Sequence, residues 1–279
     1  MGALELRLAC RAPFDGEALI GFLAARAIPG VESVEGLTYR RSIDLPGGGA
    51  VVELTPESPD GVLCRLWLDD PGDRDAAVER CRRLLDLDAD PAAVAAHLEP
   101  DPVLGELVRR RPGLRVPGCA GGFELAVRAI VGQQVSVAGA RTILGGLAAL
   151  YGGAPGRFPG PAAFAEVDPG ALPFPRTRGE ALRELARLTA GGELDLDAGA
   201  DPRATRSRLL GIRGIGPWTA EYIAMRALGD PDAWLPGDVG VRHALERLGQ
   251  PPGERVALKL AEAWRPWRSY AVMHLWAGL

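Results

Sequence analysis

The sequence predicts an α+β fold: an N-terminal α/β domain with an antiparallel sheet, followed by two mostly α-helical domains with a helix-hairpin-helix motif. Three observations predict it. Strand-like alternation is confined to the first 90 residues, the chain after Pro91 has the pattern of helices joined by Gly/Pro loops, and a glycine-rich loop separates two helical runs within residues 202–228. We assign the domains to 1–90, to 117–233, and to 91–116 together with 234–279.

The length and composition are those of a globular protein. The 279 residues are 47% hydrophobic and 24% charged, and a chain of this length accommodates two or three small cores. No apolar run reaches the ~20 residues of a membrane span. The N-terminus has no secretory signal pattern. We therefore expect a cytoplasmic protein that does not associate with membranes.

The cysteines and histidines give no sign of a metal centre. The four cysteines are widely spaced without a CxxC pair, and the three histidines lack partners at metal-ligand spacing. A disulfide framework, a zinc site and an iron–sulfur cluster are all disfavoured. The net charge of −4 argues mildly against a nucleic-acid partner, but five arginines fall within residues 203–226, and binding depends on such a local patch.

The elements follow from hydrophobic periodicity. Period-two alternation predicts a strand at 4–10 and three more at 37–44, 50–55 and 62–68, and helical spacing predicts helices at 14–28 and 73–87. Beyond Pro91, helical patterns bounded by Gly and Pro predict helices at 91–98, 102–110, 122–131, 136–151, 161–166, 178–190, 202–210, 217–228, 239–248, 254–263 and 267–277.

The loop LGIRGIG between two of these helices is the most informative stretch. Glycines at 211, 214 and 216 allow positive φ and expose backbone amides, and Pro217 suits the first turn of the following helix. Amides at a helix N-terminus favour a phosphate, so this pattern predicts a hairpin that grips a DNA backbone without reading its sequence. An ordinary glycine-rich turn between helices is the alternative.

Two features near this hairpin predict a site. Trp218 and Tyr222 are four residues apart on one helical face, where they either flank a flat ligand or belong to the core. Asp238 follows a Pro-Gly turn and precedes an apolar-periodic helix, so it is at least an N-cap. A carboxylate held by backbone amides also stays ionised, and it then stabilises positive charge on a sugar or assists an attacking water.

The C-terminal stretch AEAWRPWRSYAVMHLWAGL carries three of the six tryptophans. Trp267, Tyr270 and His274 fall on one helical face, which predicts either a core helix or part of an aromatic pocket.

At this point the residues resemble a known family. LGIRGIGPWTAEYIAMRAL followed by WLPGD is similar to the helix-hairpin-helix, Gly/Pro-rich loop and catalytic Asp signature of the HhH-GPD DNA glycosylases. The stretches LIGFLAARAIPGVESVEG, RPGLRVPGCAGGFELAVRAIVGQQVSVAGART and WRPWRSYAVMHLW narrow the resemblance to the 3-methyladenine DNA glycosylase II (AlkA) family. The resemblance runs from about residue 18 to the end of the chain.

The resemblance implies a role for individual residues. Asp238 matches the catalytic carboxylate, and a further set matches the aromatic lining of a base pocket: Trp218, Tyr222, Trp267 and Phe22. DNA contact is implied for Gly214, Gly216, Thr219 and Gln134. The backbone carbonyls of Leu210, Ile212 and Ile215 match the positions at which the family's hairpin holds a monovalent cation, Na⁺ or K⁺. No cofactor is implied for catalysis.

The implied activity is that of a monofunctional glycosylase, which flips an alkylated base of the 3-methyladenine type out of duplex DNA and hydrolyses its N-glycosidic bond in base excision repair. A cationic alkylated purine favours an aromatic pocket by cation–π attraction. The implied partner is double-stranded DNA containing alkylated bases, bound by a monomer at the bacterial nucleoid.

Two departures from the family pattern are relevant. Gln134 stands in GQQVS where the best-known members have an apolar wedge that enters the vacated base stack, so filling of the gap would rely on polar contacts. Gly237 replaces an acidic residue beside the catalytic position, which leaves Asp238 as the carboxylate of the motif.

Two other function classes stay open. A bifunctional glycosylase with lyase activity uses a lysine at the position of Trp218 as a Schiff-base nucleophile. The sole lysine of this chain is Lys259, in a distant predicted helix, which argues against that class. A non-enzymatic damage-binding protein is the second class, and Asp238 discriminates against it because a pure binder gains nothing from a carboxylate facing phosphates.

Overall fold

A computed structural model describes residues 2–153 and 156–279. These residues form five β-strands, thirteen α-helices and two short 3-10 turns, at Pro71–Asp73 and Pro169–Ala171. The predicted α+β class is confirmed. All of the strands in the described ranges precede residue 69, and the chain after Pro91 is helical.

The N-terminal part is one antiparallel sheet with two helices. Its strands are β1 (Leu4–Ala9), β2 (Glu32–Glu35), β3 (Thr38–Leu45), β4 (Gly48–Ser58) and β5 (Gly61–Leu68), and the strand order is β1-β5-β4-β3-β2. Helix α1 (Gly16–Arg26) follows β1, and α2 (Arg74–Leu84) follows β5. The edge strand β2 was not predicted, because its four residues ESVE contain one apolar side chain and show no alternation long enough to recognise.

The helical part begins with α3 (Pro91–Leu98). It continues with α4 (Gly105–Arg110), α5 (Gly122–Val131), α6 (Val137–Tyr151), α7 (Pro161–Ala165), α8 (Arg176–Ala190), α9 (Pro202–Gly211), α10 (Pro217–Arg226), α11 (Val239–Arg247), α12 (Glu254–Ala263) and α13 (Arg268–Ala277). Several of these helices begin where a side chain caps the first amides: Asp201 caps α9, and Asp238 caps α11. None of the described helices is both long and apolar enough to cross a membrane.

The buried apolar residues form three cores. The first joins the sheet to α1 and α2 and includes Tyr39 and Leu54. The second lies among α5–α10 and includes Ile130 and Phe164. The third joins α3 and α4 to the C-terminal helices and includes Trp264. The third core therefore draws on two stretches of chain separated by the second.

Helix α10 is shared between two of these cores. Ile223 packs into the second core, whereas Ala224 and Met225 pack into the third. A helix has side chains on all sides, so a buried helix between two cores supplies apolar residues to both. The boundary between the two helical units therefore runs along α10 rather than only through the loop after it. The assignment of residues 117–233 to one domain stays a prediction.

Candidate active site

A cavity of 520 Å³ lies where the three cores meet. Its walls come from α1, α5, α6, α10, α11 and α13, and from strands of the sheet. Three of the residues that the sequence singled out line it together: Trp218, Tyr222 and Asp238. The volume is that of a small-molecule site, large enough for a purine.

Asp238 is held at this cavity by three N–H donors. As the N-cap of α11, its Oδ1 accepts the backbone amide of Val241 at 2.8 Å and the indole Nε1 of Trp276 at 2.9 Å. Its Oδ2 accepts the indole Nε1 of Trp218 at 2.8 Å. No described Lys or Arg forms an ion pair with it. The carboxylate is therefore fixed by donors that carry no formal charge, and its own negative charge is not neutralised.

The close approach of Trp276 to Asp238 depends on a glycine. A Cβ at Gly240 would lie 2.9 Å from Cδ1 and 3.0 Å from Nε1 of Trp276, and 3.2 Å from Oδ1 of Asp238. These separations are shorter than van der Waals contact, so any side chain here would push the indole away from the carboxylate. Gly240 thus belongs to the site, although the sequence pattern did not single it out.

Trp218 and Tyr222 form a stacked wall along α10. Their ring centroids are 5.1 Å apart and their planes differ by 10°. The next residue on the same face, Arg226, donates from Nη1 to the Tyr222 hydroxyl at 2.7 Å. Burial favours a raised pKa for Tyr222, but the nearby guanidiniums of Arg226 and Arg26 outweigh it and lower the pKa.

The predicted pocket aromatic Phe22 lies behind the wall rather than on it. Its ring is stacked on Trp276 with centroids 6.4 Å apart and an interplanar angle of 16°. Phe22 does not belong to the residues that line the cavity, whereas Trp276 does. The N-terminal domain therefore contributes an aromatic that supports the indole from α13.

The structure corrects the prediction that Trp267 lines the base pocket, because this residue does not lie at the cavity. It packs in the third core and meets the ring of Tyr270 edge-on at 5.6 Å. The tryptophan that reaches Asp238 is Trp276, nine residues later. Nine residues at ~100° each place two side chains on opposite sides of a helix. Of the two alternatives for the face of Trp267, Tyr270 and His274, the structure therefore supports the core helix.

The hairpin between α9 and α10 has the predicted form. Gly214 adopts φ +96°, where other residues are strained, and Gly216 is the N-cap of α10. No side chain caps the first amides of α10, and a Cβ at Gly216 would meet nothing within 4 Å. The N-terminal end of this helix is thus open to an anion.

The DNA contact expected of Thr219 stays a prediction. The residue is 3% exposed, so such a contact would have to use its backbone amide in the uncapped first turn of α10 and not its side chain. Its Oγ1 accepts a hydrogen bond from Nε2 of Gln133 at 3.1 Å, and the same amide donates to the carbonyl of Gly214 at 3.1 Å. Gln133, which the sequence analysis did not single out, therefore ties the loop between α5 and α6 to the hairpin.

Gln134 lies at the tip of that loop. It is exposed and adopts φ +58°, a conformation that few residues other than glycine favour. Its neighbour Val135 is 38% exposed and lines the cavity. The loop therefore presents one polar and one apolar side chain side by side at the cavity mouth, and the bond from Gln133 holds both.

The far side of the cavity is walled by an ion cluster of Glu32, Arg41, Glu124 and Arg128. Arg41 and Arg128 each bind both glutamates, at distances of 2.6 to 3.2 Å. Burial favours a raised pKa for Glu124, but the two guanidiniums outweigh it and lower the pKa to about 2. The cluster joins β2 and β3 to α5, and so fixes the sheet against the helical part.

No group of three or more described His, Cys, Asp and Glu residues is arranged to hold a metal ion. Lys259 is exposed on α12 and is not among the residues lining the cavity. In the hairpin, the carbonyl of Ile212 accepts the amide of Ile215 at 3.0 Å, and both side chains are buried. A carbonyl oxygen has a second lone pair, so this turn does not exclude a cation from the predicted carbonyl set.

The chain is similar in sequence to known proteins. Residues 5–121 match the model of the AlkA N-terminal domain. The chain is 37% identical over 276 residues to a protein of Escherichia coli named DNA-3-methyladenine glycosylase 2, covering 95% of this chain and 94% of that protein. It is 48% identical to a Mycobacterium tuberculosis protein named a probable bifunctional transcriptional activator/DNA repair enzyme AlkA, and spans 58% of that protein's length.

The fold also matches that of solved structures. A 3-methyladenine DNA glycosylase from Archaeoglobus fulgidus superposes with a TM-score of 0.82 and covers 97% of each chain, at 23% sequence identity. At this identity the likeness concerns the fold, and it extends over the sheet and both helical parts.

Proposed function

Because the chain belongs to the AlkA family of DNA-3-methyladenine glycosylases, we propose that it excises alkylated bases of the 3-methyladenine type from duplex DNA as a monofunctional glycosylase. One observation carries the proposal: an aromatic cavity contains a single unpaired carboxylate, Asp238, fixed by two indoles and a helix amide. Such a cavity receives a flipped base, and such a carboxylate faces the sugar.

The chemistry proposed for Asp238 is electrostatic. When the N-glycosidic bond breaks, positive charge develops on the sugar, and a fixed carboxylate stabilises it. Water then adds to C1′ and loses a proton. The donors from Trp218, Trp276 and Val241 hold both carboxylate oxygens in place, so little reorganisation is needed at the moment of reaction.

The proposed DNA contacts lie on two neighbouring loops. The open amide end of α10, with Gly214 and Gly216, is suited to a backbone phosphate. The tip at Gln134 and Val135 is suited to the gap that the flipped base leaves. Since Val135 is exposed beside Gln134, an apolar side chain is available there despite the polar residue at the wedge position.

We keep two further expectations as proposals. The carbonyls of Leu210, Ile212 and Ile215 are hard oxygen donors of the kind that a Na⁺ or K⁺ ion takes, and such an ion would stiffen the turn beside the phosphate site. We also keep as proposals that the protein acts as a monomer and that it acts at the bacterial nucleoid, where duplex DNA is found. No cofactor is required for the proposed hydrolysis.

Base release tests the proposal. The chain is incubated with a duplex containing N-methylated purines, and freed bases are separated by chromatography; a parallel reaction contains borohydride. We expect free 3-methyladenine and no trapped protein–DNA adduct, because Lys259 is remote from the cavity. A trapped adduct would contradict the monofunctional mechanism. Tight binding to damaged DNA without base release would instead support the damage-binding class.

A further inference from the structure

One side chain holds residues 132–136, the loop between α5 and α6, on the hairpin. Nε2 of Gln133 donates to the carbonyl of Gly214 at 3.1 Å and to Oγ1 of Thr219 at the same distance. In the described part of the chain, no other hydrogen bond joins this loop to the hairpin or to α10. The position of the loop relative to the hairpin therefore depends on one amide.

The two acceptors of this amide belong to two different parts of the site. Gly214 has φ +96° and lies two residues before Gly216, the N-cap that leaves the first amides of α10 without a side-chain partner. Thr219 lies in the first turn of α10, next to Trp218, whose indole donates to Asp238 at 2.8 Å. The same amide thus reaches the turn proposed for a phosphate and the turn that carries a donor to the carboxylate.

The loop tip, Gln134 and Val135, follows this amide directly in the chain. Gln134 is exposed with φ +58°, and Val135 is 38% exposed. On the other side of the tip, Oγ of Ser136 caps α6 by accepting the amide of Gly139 at 3.1 Å. The tip is therefore fixed on both sides, and a segment that is already ordered loses less conformational entropy when it enters a partner.

Gln133 itself does not reach the reacting groups. It is not among the residues that line the cavity, and the hydrogen bonds to Asp238 come from Trp218, Trp276 and Val241. Its side chain is half-buried between the loop and α10. A side chain in this place influences excision only through the residues that it positions.

We propose that Gln133 is a positioning residue that couples the grip of the hairpin on a backbone phosphate to the entry of the loop tip into the vacated base stack. The inference rests on the proposed glycosylase function. Because the amide fixes the tip relative to Gly214, binding of the phosphate at the hairpin also places the tip at the level of the gap. Without the amide, the loop has to be ordered anew in each encounter, at a cost in conformational entropy.

This role predicts that the effect of Gln133 depends on the base opposite the lesion. Flipping a paired base costs a few kcal/mol of unpairing and unstacking, and the cost is lowest where pairing is already lost. A residue that positions the tip is therefore needed most when the lesion is paired. A residue that supports the fold or the carboxylate is needed equally with and without a base opposite.

The test compares two duplexes with one lesion. Single-turnover excision rates are measured for 7-methylguanine opposite cytosine, and for the same duplex with an abasic analogue in place of that cytosine. Gln133→Met keeps the side-chain length and removes both hydrogen bonds. We expect the rate on the paired duplex to fall by about fivefold or more, the factor that one ordinary hydrogen bond contributes. Opposite the abasic analogue, we expect a rate within about twofold of wild type.

A second variant makes the result independent of folding. Gln133→Glu keeps the shape of the side chain and replaces the donor with an acceptor that faces the Gly214 carbonyl, so the same selective loss on the paired duplex is expected. Both duplexes are tested with one preparation of each variant, and the ratio of the two rates therefore does not depend on the folded fraction. Equal losses on the two duplexes in both variants would overturn the proposal.

Gln250→Met is the matched control. This glutamine follows α11, its side chain has no hydrogen-bond partner among the described residues, and it is not among the residues that line the cavity. The same chemical change should leave both rates within about twofold of wild type. A selective loss on the paired duplex as large as that of Gln133→Met would overturn the assignment to Gln133.

The outcomes also separate this inference from the proposed function. Excision by the wild-type chain, with an unchanged ratio of rates in Gln133→Met, would overturn the inference on Gln133 and leave the proposed glycosylase function intact. Excision from neither duplex by the wild-type chain would overturn the glycosylase function, and with it the inference.

Discussion

On one side of the cavity Asp238 receives three N–H bonds and no cation, whereas on the other side Glu32 and Glu124 are each bound by two guanidiniums. Both arrangements give the carboxylates at the cavity wall polar partners. Their consequences differ: the ion cluster is internally neutral and joins two parts of the fold, while Asp238 keeps an uncompensated charge beside an empty volume. The comparison separates a structural carboxylate from one available for chemistry.

The largest expected effect on the free energy of unfolding comes from a change in the ion cluster. Glu124→Gln leaves Arg41 and Arg128 with one carboxylate between them, and removal of one partner from a buried ion network costs about 3–5 kcal/mol of the free energy of unfolding. Urea denaturation at pH 7 measures it. The matched control is Glu184→Gln, which removes an exposed partner of Arg187 and should cost less than about 1 kcal/mol. Similar small effects in both variants would contradict the structural role.

The pH dependence of that contribution has a definite sign. The pKa of Glu124 is about 2 in the folded protein, against the usual 4.5, so the unfolded chain binds more protons between these values. The stabilisation is present above pH 4.5 and is lost as the pH falls toward 2. Glu124→Gln should remove this part of the acid sensitivity.

Gly240→Ala tests the packing around Asp238, the carboxylate that has no cationic partner. The added methyl would overlap Trp276 and displace its indole from Asp238, at an expected cost of about 1–3 kcal/mol in stability together with slower excision. The control is Gly146→Ala on α6, where a Cβ meets nothing within 4 Å and alanine should stabilise the helix by up to about 1 kcal/mol. Thermal unfolding and base release are the measurements, and a wild-type rate for Gly240→Ala would contradict the close packing.

Trp276→Phe keeps an aromatic ring and removes one N–H donor from Asp238. A hydrogen bond to a charged group contributes about 1.5–3 kcal/mol, so we expect excision to slow by roughly tenfold or more. Trp267→Phe is the matched control, since this ring packs in the third core away from the cavity, and its excision rate should stay close to wild type. A larger loss of excision in Trp267→Phe than in Trp276→Phe would instead support Trp267, the residue expected from the sequence, as the pocket tryptophan.

The smallest expected effect concerns Asp86, a carboxylate in neither class. It accepts the Val116 amide and the Tyr270 hydroxyl, but burial raises its pKa to about 6. The folded protein therefore binds more protons than the unfolded chain between pH 3.8 and 6, and stability falls as the pH rises through that range. Asp86→Asn should remove this fall. It should raise the free energy of unfolding at pH 7 by about 1 kcal/mol, which is less than the rise from 3.8 to about 6 would give at 1.36 kcal/mol per pKa unit. Lower stability at pH 7 would show that the ionised form is needed.

The sequence predicted the parts of the site that lie in one continuous stretch. The hairpin, Trp218, Tyr222 and Asp238 fall within residues 202–238, where turn chemistry and helical spacing are local, and the α+β class followed from periodicity. The roles assigned to these residues stay predictions until they are tested. The correction at Trp267 concerns which aromatic residue of the C-terminal helix faces the cavity, and the sequence does not identify the element that covers each face of that helix.

Neither the ion cluster nor the approach of Arg26 and Arg226 to Tyr222 had a local signal in the sequence. Glu32, Arg41 and Glu124 come from β2, β3 and α5, and only the pairing of the sheet with α5 brings them together. Arg26 and Arg226 are likewise 200 positions apart and meet at one phenylalanine ring. Contacts of this kind depend on tertiary packing, which a single sequence does not specify.

The central claim is that the carboxylate of Asp238 performs the chemistry. Asp238→Asn keeps the shape of the side chain and removes the charge, and single-turnover base release with a binding assay on the same methylated duplex tests it. We predict a loss of excision on the order of 10³-fold, as for removal of a preorganised electrostatic group, with DNA affinity retained. Excision at the wild-type rate by this variant would contradict the account.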